Sequence, residues 1–244
     1  MVSQDPALPK PTNAPPSLTA SAEPIAPRPP SEIPIWISEV IPKLDLVIED
    51  ILCPGATQFL TSVQPAKLLQ DAVVGVLKEL YDSRTIPSHV KNVRLIVKEM
   101  DGIAATSGSR THKTIVFNAK YIEKLGARAR EEILGVIRHE VVHCFQYDAQ
   151  GTAPGGLIEG IADFVRLRGG LAPPHWKRDQ KGERWDAGYE RTGFFLDWLE
   201  RTKGEGTVKR INLALCDVEY RKETFWKSLF GEQVENLWKQ YCSD

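Results

Sequence analysis

At 244 residues, 42% apolar and 26% charged, the chain can bury one sizeable core and carry an appendage. Its 31 basic residues balance 32 acidic ones to a net charge of -1. With no long block of one sign, the field that non-specific binding to nucleic acid or to a membrane surface requires is missing. No window approaches the roughly 18 apolar residues of a membrane helix. Cys53, Cys144, Cys216 and Cys242 are widely spaced without a C-x-x-C pair, which favours reduced structural thiols over a zinc finger or a disulfide framework.

Residues 1–34 hold a large share of the 17 prolines, together with Ser, Ala and Thr, and show no apolar periodicity. Such a segment cannot offset its ordering entropy, so a disordered tail is expected, serving as a spacer rather than as a docking ligand. Proline and polar residues interrupt it everywhere, so it lacks the apolar h-region of a secretory signal. The expectation is a cytoplasmic protein, with a non-classical export route left open.

A single domain is expected over residues 35–244. SVQPAKLLQDAVVGVLKELYDS places Leu69, Val73, Val76 and Leu80 at helical spacing and predicts an amphipathic helix over about 65–81. VRLIVKEM alternates Val93, Leu95 and Val97 as a strand does; DGIAATSGSRTH reads as turn-rich, and TIVFNAKYI as a second β run. REEILGVIRHEVVHCFQYD carries apolar residues around most of its circumference and predicts a buried helix. After GTAPGG, LIEGIADFVRLR reads as a helix, GGLAPPHWKRDQKGERWDAG as a loop, and the last third as several short amphipathic helices. A small mixed sheet followed by helices makes the fold class α+β.

Chemistry concentrates in the stretch from His139 to Arg166. On a helix, residues four apart share a face, so His139 and His143 of HEVVH can turn imidazole nitrogens toward one ion, with Glu140 beside them to reach a water there. Catalytic zinc sites use three protein ligands and keep a fourth position open. GTAPGG offers the reversal that returns a second helix beside the first, which makes Glu159 the candidate third ligand. Asp163, one turn further on, can hold the free ring N–H of a liganding histidine, and it is also the rival for third ligand. By chance H-E-x-x-H arises in under roughly 1% of shuffled sequences of this composition. The chemistry that follows is peptide hydrolysis by a metal-activated water, with Glu140 as general base. Tyr189 and His175, in the region after Glu159, are candidate donors to the oxyanion that forms. Arg191 could hold a substrate carboxylate, though a solvated helix arginine is the simpler reading. Trp185, Trp198 and Trp238 are expected in the core.

HEVVHCFQYD, GGLIEGIADFVRLRGGLAPPHW, GERWDAGYERTGFFLDW and FGEQVENLWKQY, in that order, resemble the plant basic secretory protein family and its fungal relatives, zinc metallopeptidases of the zincin type. RLIVKEMDGIAA upstream fits the same pattern. The resemblance implies a zincin core. Such a core has a small twisted sheet whose edge strand holds extended substrate, an active-site helix with His139, Glu140 and His143, and a following helix with Glu159. It implies Zn2+ as cofactor and a peptide or protein as substrate. TIVFN is the candidate edge strand, with an ordinary inner strand as the alternative. Plant members are basic and carry a secretion signal, whereas this chain is near neutral, so their extracellular roles do not transfer. A competing reading is a non-catalytic binding protein that uses the cleft or the Pro-rich tail to hold a partner, although nothing in the motif is lost. A weaker possibility makes the tail an inhibitory propeptide.

Overall fold

The computed structural model describes residues 33–244, and almost all of the expected Pro-rich tail lies outside the described residues. In chain order the elements are α1 (Ile35–Ser38), β1 (Lys43–Ile48), α2 (Pro54–Ser62), α3 (Pro65–Leu80), β2 (Asn92–Lys98), β3 (Ala104–Gly108), β4 (His112–Asn118) and α4 (Ala119–Glu123). The helices α5 (Ala129–Phe145), α6 (Gly155–Arg168), α7 (Tyr189–Lys203), α8 (Thr207–Ala214), α9 (Lys222–Phe230) and α10 (Val234–Ser243) follow. The class is α+β, with one small mixed sheet and a helical C-terminal part.

The sheet runs β1-β2-β4-β3, parallel across the first three strands and antiparallel at the β3–β4 hairpin. Alternation in β2 puts Val93, Leu95 and Val97 on one face, where all three are buried in the common hydrophobic core. In α3, Pro65 opens the helix at a position where its missing N–H costs nothing. One stripe, Leu69, Val73, Val76 and Leu80, is fully packed.

Two expectations change here. TIVFN is an inner strand, because β4 is bonded on both sides, to β2 and to β3. Its Ile115 and Phe117, on one face, are wholly buried, while Thr114 and Val116 on the other are half-buried. The edge strand is AATSG, from the segment expected to be turns; its small residues make a poor strand signature, and pairing with β4 supplies the order. The other edge, β1, has no counterpart among the expected elements.

Helix α5 packs against α3, α6 and β3, and α6 packs against α7. Trp185 and Trp198 are buried and Trp238 packs edge-on against Phe195, as expected of core residues. All four cysteines are free thiols. Among the described residues no helix is long and apolar enough to cross a membrane.

Candidate active site

Nearly the whole circumference of α5 is covered: Ile133, Ile137, Val141 and Val142 have no exposed surface, and Glu131 and Glu132 favour its N-terminal dipole. Burying His139 and Glu140, 9% and 6% exposed, is costly unless each finds a partner. The helix stops at Phe145, short of the QYD expected to continue it. Gln146 turns extended, and the Tyr81 hydroxyl donates to the Phe145 carbonyl at 2.5 Å.

The chain then reverses through Ala149, Gln150 and Gly151, three consecutive residues at positive φ. That reversal ends at Gly151, the first residue of the GTAPGG segment expected to make it, while the last two, Gly155 and Gly156, already belong to α6. Their place is explained by packing: a Cβ on Gly156 would stand 2.0 Å from the Asp186 carbonyl oxygen. A Cβ on Gly160 would stand 2.2 Å from Thr192 Cγ2. Small residues therefore let α6 press against the segment that opens α7, which brings Glu159 and Asp163 back to α5.

The returning carboxylates meet the two imidazoles. His139 Nδ1 lies 2.6 Å from Asp163 Oδ1, while its Nε2 lies 3.1 Å from Glu159 Oε2 and 3.1 Å from His143 Nε2. His143 Nε2 is 3.7 Å from the same Glu159 oxygen. The ligand atoms of His139, His143 and Glu159 all lie within 4.8 Å of one another, a group able to hold a metal ion. Asp163 meets the opposite edge of the His139 ring, away from that centre.

These groups hold each other by charge. Burial opposes a charged His139, but hydrogen bonds to Asp163 and Glu159 outweigh it and push the imidazole up to about 9. Burial likewise opposes an ionised Glu159, yet the two histidines hold it down to about 2. Where β3 packs on α5, the Thr106 hydroxyl stands 2.6 Å from Glu140 Oε2 and 3.1 Å from the Glu140 carbonyl oxygen. Thr106 escaped the sequence reading because a threonine in AATSG has no local feature that ties it to a residue 34 positions away.

Tyr189 opens α7 at φ 46, after Gly188 at φ 89, and its ring lies parallel to that of His139 at 6.3 Å between centroids. It is 56% exposed. The Glu159 carboxylate, then burial, raise its phenol above the usual range, so it stays a hydrogen-bond donor at neutral pH. His175 is exposed in the turn Pro173–Trp176 and lines the same cleft. Arg191 lies outside the cleft lining, beside Gly182. The cleft encloses about 1050 Å³ and runs along β3 past Glu140, His139 and Tyr189.

A family model described as a peptidase of plants and bacteria matches residues 41–241, most of the chain. The chain belongs to this peptidase family. The match takes in β1, the whole sheet, the His139–Glu159 centre and nearly all of α10. Family membership therefore applies to the domain that carries the cleft. No curated protein and no solved structure matches the chain.

Proposed function

We propose that this peptidase is a zinc-dependent hydrolase with a zincin-type core, and that His139, His143 and Glu159 are the metal ligands. The supporting observation is the convergence of their three ligand atoms. Ligands about 2.0–2.2 Å from a tetrahedral ion stand about 3.4 Å apart. Separations of 3.1, 3.1 and 3.7 Å bracket that value. Two imidazoles and one carboxylate make the donor set of a catalytic site, which leaves one position open, rather than of a closed, cysteine-rich structural site. Asp163, hydrogen-bonded to His139 Nδ1, would fix the tautomer that points Nε2 inward.

Zinc held there supplies Lewis acidity, which makes water acidic enough to lose a proton near neutral pH and polarises a substrate carbonyl. Glu140 takes that proton and delivers it to the amine as the C–N bond breaks, so no covalent acyl intermediate is needed. Thr106 orients the Glu140 carboxylate. Tyr189, standing over His139, is the first candidate to donate to the oxygen that gains charge, and His175 is the second.

The test is metal analysis together with a peptide-library cleavage assay on wild type and Glu140→Gln. Both proteins should carry one zinc per chain; chelator-sensitive cleavage should appear in the first and fall by about 10²–10⁴-fold in the second. Zinc-loaded wild type that cleaves nothing in a broad library would sink the reading.

A further inference from the structure

One end of the cleft carries charge that hydrolysis itself does not use. Beside the β3–β4 turn its wall includes Arg110, Lys113, His89, Asp148 and Asp217. Strand register decides where Lys113 faces. Thr106 pairs with Ile115 and Gly108 with Lys113, and side chains alternate along a strand, so Thr106, Gly108, Lys113 and Ile115 share one face of the sheet. Thr106 reaches Glu140 from that face, and Ile115 is wholly buried on it. Lys113 therefore projects from the face of the sheet that packs on α5.

Gly108 keeps this approach open. At φ 125, with a Cβ that would stand 2.2 Å from the His112 carbonyl oxygen, the position suits only glycine, so β3 offers no side chain to cover the Lys113 ammonium. Among the described residues neither Lys113 nor Arg110 makes an ion pair or a side-chain hydrogen bond. The two carboxylates at this end do have local donors: Asp148 accepts from the Gly151 N–H, and Asp217 from the Cys216 thiol. Burial, with Arg110 and Lys113 nearby and Asp217 opposing them, holds the His89 imidazole below its usual value. The other end of the site is rich in carboxylates, Glu140, Glu159 and Asp163. Arg110 and Lys113 are thus balanced in formal charge by Asp148 and Asp217 but contact neither, and these two unpaired cations are what sets this end apart from the acidic centre.

We propose that Lys113 and Arg110 form a specificity subsite for an acidic side chain of the substrate, two or three residues from the scissile bond. The proposal rests on the peptidase reading above. Its spacing follows from Gly108 lying two residues beyond Thr106, about 7 Å along a strand, so an extended peptide cleaved beside Glu140 reaches the cations over that distance.

The experiment uses the zinc-loaded full chain and one cleavable peptide, with Glu, Gln or Lys scanned through the four positions on each side of the scissile bond. Each peptide is made with a free and an amidated C terminus. At one position kcat/KM for Glu should exceed that for Gln by about 5- to 10-fold, and about 0.5 M salt should shrink the ratio. Arg110→Ala/Lys113→Ala should bring the ratio to within about twofold of one, and Lys113→Glu should turn the preference toward Lys. A flat ratio in the wild type overturns the subsite, as does a ratio that the double substitution leaves intact. A preference that disappears on amidation also overturns it, since the terminal carboxylate would then be the group bound. Should no peptide be cleaved, the peptidase reading fails, while fluorescence anisotropy of labelled Glu and Gln peptides on the Glu140→Gln chain still decides the subsite. Tighter binding of the Glu peptide, lost when Arg110 and Lys113 are also replaced, supports it; equal binding overturns it.

Discussion

Glu159 and Asp163 sit one helical turn apart on α6 and touch opposite sides of one imidazole, so their removal should have different consequences. Asp163→Asn keeps the shape but weakens the orienting bond; zinc affinity should fall about 10- to 100-fold while one zinc per chain still binds at saturation. Glu159→Ala removes a proposed ligand and should drop affinity further, by competition against a chromophoric chelator. If Asp163→Ala abolished binding and Glu159→Ala kept it, the assignment of the third ligand would be wrong. Tyr189→Phe should lower kcat by about 10²-fold with little change in KM, as expected for a donor that acts only as charge develops. Were the same loss to appear in His175→Ala and not in Tyr189→Phe, the two roles would exchange. At this scale much of the site is legible in the sequence, because helical spacing alone aligns His139 with His143 and Glu159 with Asp163. Thr106 and Lys113 are not, because what places them is strand register against α5, which no local pattern records.

Helices α6 and α7 approach closely where Gly160 and Gly193 carry no side chain, and Gly156 lets α6 meet the Asp186–Gly188 turn before α7. Gly160→Ala would press a methyl onto Thr192, whose hydroxyl donates to the Trp185 carbonyl at 2.8 Å and accepts from the Gly188 N–H at 2.9 Å. Overpacking of this kind costs about 1–3 kcal/mol, or roughly 2–12 °C in Tm for a domain of this size. Since α6 carries Glu159 and the Thr192 bonds hold the turn before Tyr189, the same substitution should weaken zinc binding and lower kcat together. Differential scanning calorimetry and zinc titration on one sample would check both; unchanged affinity with a lowered Tm would uncouple the packing from the site. The long periodic elements α3, α5 and α6 are readable from their apolar spacing. The sheet edges are not: the small residues of β3 and the half-exposed Lys43–Ile48 of β1 take their order from their neighbours.

In the whole molecule the proposed metal centre links pH to stability, and the sign of that link should reverse with metal. Without zinc, His139 is pushed up to about 9 from an ordinary 6.5, so its contribution to stability is complete below about pH 6.5 and is lost as pH rises through 9. Glu159, held down to about 2 from 4.5, contributes fully above about pH 4.5 and loses its share on acidification toward 2. The two shifts share the His139–Glu159 contact, although Asp163 contributes first to the one and His143 adds to the other, and together they bound a window from about 4.5 to 6.5 in which the metal-free protein gains most from the cluster. Zinc bound as proposed would displace the His139 proton, so its affinity should instead climb with pH from about 6 to 9. A ligand at 100 times its Kd adds about 2.7 kcal/mol to the native state, so the rise in Tm on adding a fixed zinc concentration should widen steadily between pH 6 and 9. Thermal melts with zinc and with chelator across that range give the result directly. A difference that stays flat with pH would mean that His139 releases no proton to the metal, and the proposed ligand set would fall with it.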